Sequence, residues 1–170
     1  GISTCISKGV SNVFQNALLS PQITNDILSV IWGKFIVNCG INAMCAVTGL
    51  RSGEISQNTA ADEMQTKILE EIMAVVKAKG IKAPKKDMIT YVKDLSSSRY
   101  NKPSMLQHIE AGRLTEIDSL NGALVSEAKA LNIGVPFNHA LVNMIKAREF
   151  AMQQLFKQPK VDYKKLELLA

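Results

Sequence analysis

The sequence has little of what builds disulfide frameworks and metal centres. It contains three cysteines, Cys5, Cys39 and Cys45, an odd number without regular spacing, so no disulfide framework is expected. The two histidines, His108 and His139, form no ligand-spaced cluster with these cysteines, which argues against a zinc site. We therefore predict no metal and a reducing, cytoplasmic environment.

Long apolar runs and targeting signals are also missing. No uninterrupted apolar stretch reaches the ~18 residues that a transmembrane helix needs, so no membrane span is predicted. The first residues carry no basic segment followed by a long apolar one, so no signal peptide is predicted. No segment alternates between apolar and polar residues as a β-strand does. With 46% hydrophobic and 21% charged residues, the 170-residue chain is expected to form one globular domain.

Helical periodicity is present along most of the chain. Met64, Ile68 and Ile72 recur on one helix face, Gly80 marks the end of that helix, and Pro136 fits the first turn of the last one. The predicted fold class is all-α. About seven helices are expected, over residues 8–19, 24–47, 61–79, 86–97, 104–112, 115–131 and 136–156, with Thr24 and Thr115 as caps.

A polar stripe interrupts the apolar segment Trp32–Asn42, which reads W-G-K-F-I-V-N-C-G-I-N. At ~100° per residue, Lys34, Asn38 and Asn42 fall within an arc of about 80° on one helix face. Such a stripe is either the solvent face of a helix at the domain edge or the lining of a cleft that holds a polar ligand. The asparagines favour the cleft, because solvated faces are usually built from better helix formers.

A second polar group lies in the segment 104–122. From sequence alone its members have ordinary structural explanations. Ser104 and Gln107 fit a capping box, and Glu116 falls in the first turn of a predicted helix, where a carboxylate complements the helix dipole. His108 is interpreted as a surface or packing histidine.

Together these stretches resemble the C-terminal domain of the ketopantoate reductase (2-dehydropantoate 2-reductase) family. The family pattern is W-x-K-x-x-x-N-x-x-x-N, then S-M-x-Q-D-x-x-x-G-x-x-T-E-I-D-x-x-N-G, then G-I-x-x-P-x-N. Order and spacing agree here from about residue 26 to residue 146. The matching residues are Trp32, Lys34, Asn38, Asn42, Ser104, Met105, Gln107, Gly112, Thr115, Glu116, Ile117, Asp118, Asn121, Gly122, Ile133, Pro136 and Asn138.

The resemblance implies a helical domain that supplies part of an oxidoreductase site. The family uses NADPH to reduce the ketone of ketopantoate to pantoate, a step toward pantothenate and coenzyme A. Lys34 matches the general acid, and Glu116 matches the glutamate that positions this lysine and binds the substrate hydroxyl. Asn38, Asn42 and Ser104 match side chains that hold the substrate by hydrogen bonds.

Departures from the family pattern bear on substrate and domain content. His108 stands where the pattern has Asp, and Pro103 where many members have a second Ser, which bears on local geometry and on the choice of 2-oxo acid. The strand and G-x-G-x-x-G turn of a dinucleotide-binding domain are missing, since Gly49 and Gly53 follow a helix with the wrong spacing. Residues 1–170 are predicted to be the substrate-binding and dimerisation domain, with an N-terminal Rossmann domain of the same polypeptide as partner.

Three alternatives stay open at this point. A related two-domain dehydrogenase that reduces another 2-oxo acid has the same features. The net charge of +5 fits anionic partners, and a basic helical nucleic-acid-binding protein is a second option. That option needs basic residues on one helix face, whereas here they are scattered except around residues 77–86, so no nucleic acid is predicted. A dimerisation module is compatible with the enzyme, and the isolated chain is expected to be inactive.

Overall fold

The computed structural model describes residues 2–156, 160, 162, 167 and 168, with the side chains of all of these except residues 2–4 and 156. Over these residues the fold is all-α, with no β-strand, so the predicted fold class is confirmed. Where seven helices were expected, the described part contains eight and one short 3-10 helix. They are α1 (Ile2–Asn16), α2 (Ile27–Thr48), α3 (Ser52–Ile55), α4 (Thr59–Ala78), α5 (Met88–Ser97), α6 (Ser104–Glu110), the 3-10 helix (Ile117–Ser119), α7 (Asn121–Ala130) and α8 (Pro136–Phe156).

Glycine and proline mark two helix boundaries as predicted. Gly80 follows the end of α4 with a positive φ of 65°, a conformation that glycine adopts without a steric penalty. Pro136 is the first residue of α8, where its missing N–H costs no helical hydrogen bond. These two boundaries depend on the local backbone alone, which is why the sequence predicts them.

Other helix boundaries differ from the predicted ones. α1 begins at Ile2 rather than Lys8, and the short helix α3 occupies part of the loop after α2. The predicted helix over residues 115–131 is wrong, because the chain makes the 3-10 turn first and α7 begins only at Asn121. Leu120 lies between them with φ −107° and ψ −101°, outside the helical region.

Two predicted caps are also wrong. Asp26, rather than Thr24, caps α2, because its carboxylate accepts a backbone N–H of the first turn at 3.0 Å. The Ser104–Gln107 capping box does not form, because Pro103 occupies the N-cap position and offers no side-chain acceptor. The hydroxyl of Ser104 is thereby directed to a different partner.

α2 is the central element of the fold. Every residue from Gly40 to Ala46 is buried, and the helix packs against α4, α5, α6 and α8. Two glycines permit close packing: a Cβ on Gly33 would lie 2.6 Å from Pro84 Cγ, and one on Gly40 would lie 2.5 Å from Leu69 Cδ2. The contact at Gly33 brings the Pro84 loop directly against the exposed first half of α2.

α2 is also the one described helix that is long and apolar enough to cross a membrane. By length and composition it passes that test, although the sequence has no uninterrupted apolar run that predicts a span. Of its apolar 18-residue window, 56% is buried inside the protein. Burial of this kind is typical of the core helix of a globular domain, since such helices are apolar nearly all round.

A buried network of amides joins α7 and α8 to α2 and α4. Asn121 Nδ2 donates to Cys39 O and to Asn138 Oδ1, each at 3.0 Å, and both asparagines are 0% exposed. Glu71 of α4 accepts from Asn138 Nδ2 at 2.7 Å and from the backbone N–H groups of Phe137 and Asn138 at 2.9 Å. Hydrogen bonds in a low-dielectric interior have strict geometric requirements, so the network fixes the start of α8 relative to three other helices.

Candidate active site

The polar stripe of α2 runs from the surface into the interior. Lys34 is exposed, Asn38 is half-buried, and Asn42, one further turn along, is only 8% exposed. A solvent face would leave all three side chains exposed, so that interpretation fits Lys34 alone. The descent into the protein favours the other interpretation, in which the stripe lines a cleft.

Lys34 and Asn38 lie in the wall of one surface pocket. The cavity has a volume of about 390 Å³ and is bounded by α2, the Pro84 loop, α5 and the segment that follows α5. Because Gly33 has no Cβ, the loop can approach α2 closely enough to form this wall. The remaining wall residues are Val30, Gly33, Val37, Pro84, Lys85, Tyr91 and Arg99.

The charged side chains of this pocket are all cationic. Lys34, Lys85 and Arg99 line it, and no carboxylate does. Lys85 Nζ lies 5.5 Å from the centre of the Tyr91 ring, a cation–π distance that keeps its charge at the wall. Within the described part of the chain, none of the three forms a salt bridge. Uncompensated positive charge around Asn38 makes the pocket suited to an anionic ligand.

The second polar group forms a bonded cluster at α6. Ser104 Oγ donates to Glu116 Oε1 at 2.5 Å, and His108 Nδ1 lies 2.9 Å from Glu116 Oε2. Ser104 and His108 are one turn apart on α6, so both reach the same carboxylate. The prediction that Glu116 complements the dipole of a long helix is wrong, because no α-helix begins there.

The pKa of the Glu116 carboxyl is lowered in this cluster. Partial burial acts to raise it, but hydrogen bonds from Ser104, from its own backbone N–H and from His108, together with the charge of protonated His108, outweigh burial. The Glu116 side chain is still 30% exposed. An ionised carboxylate only accepts hydrogen bonds, so the cluster presents an accessible acceptor to a ligand O–H or N–H.

The structure brings the predicted residues together in two groups. Lys34 and Asn38 share the cationic pocket, while Ser104 and Glu116 are hydrogen-bonded to each other. The helices that carry these groups, α2 and α6, pack against each other. No hydrogen bond or ion pair between described residues joins Lys34 to Glu116, so the positioning of Lys34 by Glu116 stays a prediction. Asn42 lies deeper along α2 than the pocket wall.

Sequence reasoning missed three residues of these groups. The interpretation of His108 as a surface or packing histidine did not indicate the contact that its half-exposed ring makes with the Glu116 carboxylate. The four-residue spacing between Ser104 and His108 places both side chains on one helix face, and this spacing was the sequence signal that they could share a partner. Lys85 and Arg99 are far from Lys34 in sequence and reach the same pocket only through the fold, so no local pattern indicates them.

Comparison with known proteins identifies the family. Residues 26–149 match the family described as ketopantoate reductase PanE/ApbA C terminal. The chain belongs to the ketopantoate reductase family. It is 33% identical over 140 residues to the 2-dehydropantoate 2-reductase of Pyrococcus horikoshii, an alignment that covers 82% of this chain and 46% of that protein. The resemblance seen in the motifs is therefore confirmed, and the chain is the helical C-terminal domain of a ketopantoate reductase-family protein.

Solved structures show the same fold. The PanE/ApbA family ketopantoate reductase from Ralstonia eutropha JMP134 superposes with a TM-score of 0.81 at 28% identity, covering 86% of this chain and 49% of that one. A D-mandelate dehydrogenase, solved with NADH and anilino(oxo)acetate, gives a TM-score of 0.79 at 24% identity, covering 88% and 50%. The second likeness shows a shared fold only.

The chain spans about half the length of the relatives that it matches. A Rossmann-type dinucleotide site needs a parallel strand that leads into a glycine-rich turn, and the described residues contain no strand. These residues therefore do not fit a nicotinamide dinucleotide in that manner. What they offer is a cationic pocket suited to a small polar anion and a Glu116 carboxylate that can accept a ligand O–H or N–H.

Proposed function

We propose that this chain is the substrate-binding domain of an NADPH-dependent 2-dehydropantoate 2-reductase, which reduces the ketone of ketopantoate to pantoate on the way to coenzyme A. The observation that carries the proposal is the cationic pocket in which Lys34 and Asn38 lie side by side, with no carboxylate among the described residues that line it. Membership of the ketopantoate reductase family supports the reaction class.

Lys34 is proposed as the general acid. Its ammonium group donates a proton to the ketone oxygen as that oxygen becomes an alkoxide, and its charge stabilises the developing negative charge. The absence of a salt-bridge partner within the described residues leaves this ammonium available to a ligand. Lys85 and Arg99 add positive charge that suits the carboxylate of a 2-oxo acid.

Hydrogen bonds are proposed to fix the substrate beside Lys34. Asn38 and Asn42 present amides along the stripe, and an amide both donates and accepts. Ser104 and Glu116 are proposed to bind the hydroxyl end of ketopantoate, with the ionised carboxylate as acceptor. A small polar substrate needs several fixed partners rather than a large apolar wall, which agrees with a cavity of about 390 Å³.

The remaining parts of the enzyme are proposed to lie outside this chain. NADPH supplies the hydride when bound, and an N-terminal Rossmann domain of the same polypeptide is proposed to hold it. A homodimer and a cytoplasmic location complete the proposal, while neither nucleic acid nor a membrane is proposed as a partner. Cys39 and Cys45 are buried free thiols, which is compatible with a reducing compartment.

A second candidate is reduction of a different 2-oxo acid by the same proton donor. The observation that favours it is His108, which contacts the proposed hydroxyl acceptor Glu116 and stands where the family pattern has Asp. A change of side chain beside the proposed hydroxyl acceptor alters substrate choice more directly than it alters the chemistry at Lys34. The two candidates therefore differ in substrate and share a mechanism.

The test is NADPH oxidation by the full-length polypeptide, followed by absorbance, with ketopantoate and a panel of other 2-oxo acids. Replacing Lys34 by Ala is expected to lower kcat about 100-fold or more, because general acid catalysis contributes ~10²–10⁴-fold. The thermal midpoint should stay near that of the wild type, since Lys34 is exposed. Lys86→Ala is the matched control, an exposed lysine outside the pocket, and should retain activity.

Three outcomes separate the candidates. Turnover of ketopantoate that collapses in Lys34→Ala supports the proposal. Turnover of another 2-oxo acid alone changes the substrate and keeps the mechanism. Failure of the full-length wild type to reduce any 2-oxo acid would contradict both candidates.

A further inference from the structure

The Glu116 carboxylate is held at both oxygens by α6. Ser104 bonds Oε1 at 2.5 Å, and His108 Nδ1 contacts Oε2 at 2.9 Å. The 104–108 spacing places both side chains on one face of α6, and the carboxylate lies across that face. Its plane is therefore fixed by two contacts, whereas one contact alone would leave it free to rotate.

The chemistry of the second contact defines what His108 does. An ionised carboxylate cannot donate, so the bond requires a proton on Nδ1, in the neutral ring or in the imidazolium. A carboxylate at position 108, as in the family pattern, could not make this bond with an ionised Glu116. The contact is thus a property of this chain's histidine.

Three charged side chains of α6 and α8, those of Glu110, Glu149 and Lys146, have partners other than Glu116. On α6, Glu110 pairs with Lys102, which leaves His108 facing the carboxylate. From α8, Glu149 accepts the Thr115 N–H at 2.7 Å, and Lys146 pairs with Asp118 at 2.7 Å. Among the described residues, the charge of the His108 ring, when it is protonated, acts to lower the pKa of Glu116.

We infer that His108 is a positioning residue: it holds the Glu116 carboxylate ionised and oriented so that the site selects 2-oxo acids that carry a hydroxyl group. This inference rests on the proposed function, in which Glu116 receives the substrate hydroxyl. Ser104 and His108 occupy one lone pair on each oxygen, and the exposed remainder accepts the ligand O–H. A 2-oxo acid without the hydroxyl would leave this acceptor without its ligand partner.

The first test uses the 170-residue chain and needs no activity. The Glu116 carboxyl carbon is followed by ¹³C NMR during a pH titration and assigned by its absence in Glu116→Gln. In His108→Leu the Glu116 pKa should rise, because one stabilising hydrogen bond and one charge are removed. His108→Asn keeps an N–H donor near the position of Nδ1 and should restore part of the shift. His139→Asn, an exposed histidine on α8, is the control and should change nothing.

The second test separates positioning from general damage to the enzyme. The full-length protein is assayed with ketopantoate and with 3,3-dimethyl-2-oxobutanoate, the same acid without its hydroxyl. His108→Leu should reduce the kcat/KM preference for ketopantoate about tenfold, mainly through KM, because the carboxylate that accepts the substrate hydroxyl loses one of its two orienting contacts. The analogue's kcat/KM should stay within about twofold, and His108→Asn should keep most of the preference.

Failure of this inference and failure of the proposed function give different results. An unchanged Glu116 titration in His108→Leu overturns the inference even if the enzyme reduces ketopantoate. Equal loss with both substrates also overturns it, because a merely structural role predicts that result. If the full-length wild type reduces no 2-oxo acid, the proposed function fails and the selectivity role fails with it, whatever the NMR titration shows.

Discussion

Two glutamates in this domain accept hydrogen bonds from neighbouring side chains, in opposite settings. Glu71 bonds Asn138 and the start of α8, and through Asn138 it joins a fully buried amide network. Glu116 bonds Ser104 and His108 beside α6, and its side chain keeps 30% exposure. Both carboxylates are partly exposed and have protein partners, but Glu71 accepts three hydrogen bonds from the start of α8, whereas Glu116 is contacted by the side chains of Ser104 and His108.

The two settings distinguish residues that stabilise the fold from residues of the proposed site. Asn121 and Asn138 belong to the same family motifs as Ser104 and Glu116, so motif membership does not distinguish them. Burial does: a polar group at 0% exposure, bonded to other helices, can only stabilise the structure. Accessible and ionised, Glu116 can exchange a water molecule for a substrate at little cost to the fold.

The largest expected effect is on the buried side of this comparison. Asn138→Ala should destabilise the domain by about 2–4 kcal/mol, because it removes one of the two acceptors of the buried Asn121 amide and the side-chain donor to the Ile68 carbonyl and to Glu71. Urea denaturation followed by circular dichroism measures the change. Asn143→Ala, an exposed asparagine on the same helix, should stay within about 0.5 kcal/mol. Equal stability of the two variants would show that the amide network does not hold the helices.

The next effect should fall on activity rather than on stability. Ser104→Ala in the full-length enzyme should lower kcat/KM for ketopantoate about tenfold, because a hydrogen bond to the charged Glu116 is lost at the proposed site. The free energy of unfolding should change by less than about 1 kcal/mol, since Ser104 is exposed. Steady-state kinetics and urea denaturation on the same preparation test both halves. A large loss of stability with unchanged kinetics would show that Ser104 stabilises the fold and does not act at the proposed site.

The smallest expected effect is on the pH dependence of stability. The pKa of Glu116 is lowered in the fold, so its contribution is present above the ordinary value of 4.5 and is lost as pH falls through the lowered value. The free energy of unfolding of the wild type should therefore fall more steeply below pH 4.5 than that of Glu116→Gln. We expect a difference below about 1 kcal/mol, because a partly exposed group is screened by solvent. Identical slopes in the two proteins would mean that the cluster does not favour the ionised carboxylate.

Local sequence patterns predicted the helices better than their caps. Pro136 and Gly80 act through their own backbone geometry, so both boundaries were correct. The prediction of Thr24 as the cap of α2 was wrong because Asp26 lies closer to the first free N–H groups of the helix. A sequence pattern cannot rank two capping candidates that are two residues apart. The prediction of one helix over residues 115–131 was wrong because the chain leaves helical geometry at Leu120. The composition of the surrounding sequence is helical, so it gave no sign of this break.

The sequence by itself determined the all-α class, the stripe of Lys34, Asn38 and Asn42, and the family, because periodicity and motif spacing are properties of the chain order. Only the tertiary structure decided what the polar residues contact. It placed Lys85 and Arg99 in the same pocket as Lys34, buried Asn138 completely, and set His108 against Glu116. These relations depend on how helices distant in sequence pack together, and the distance between two side chains is fixed by that packing.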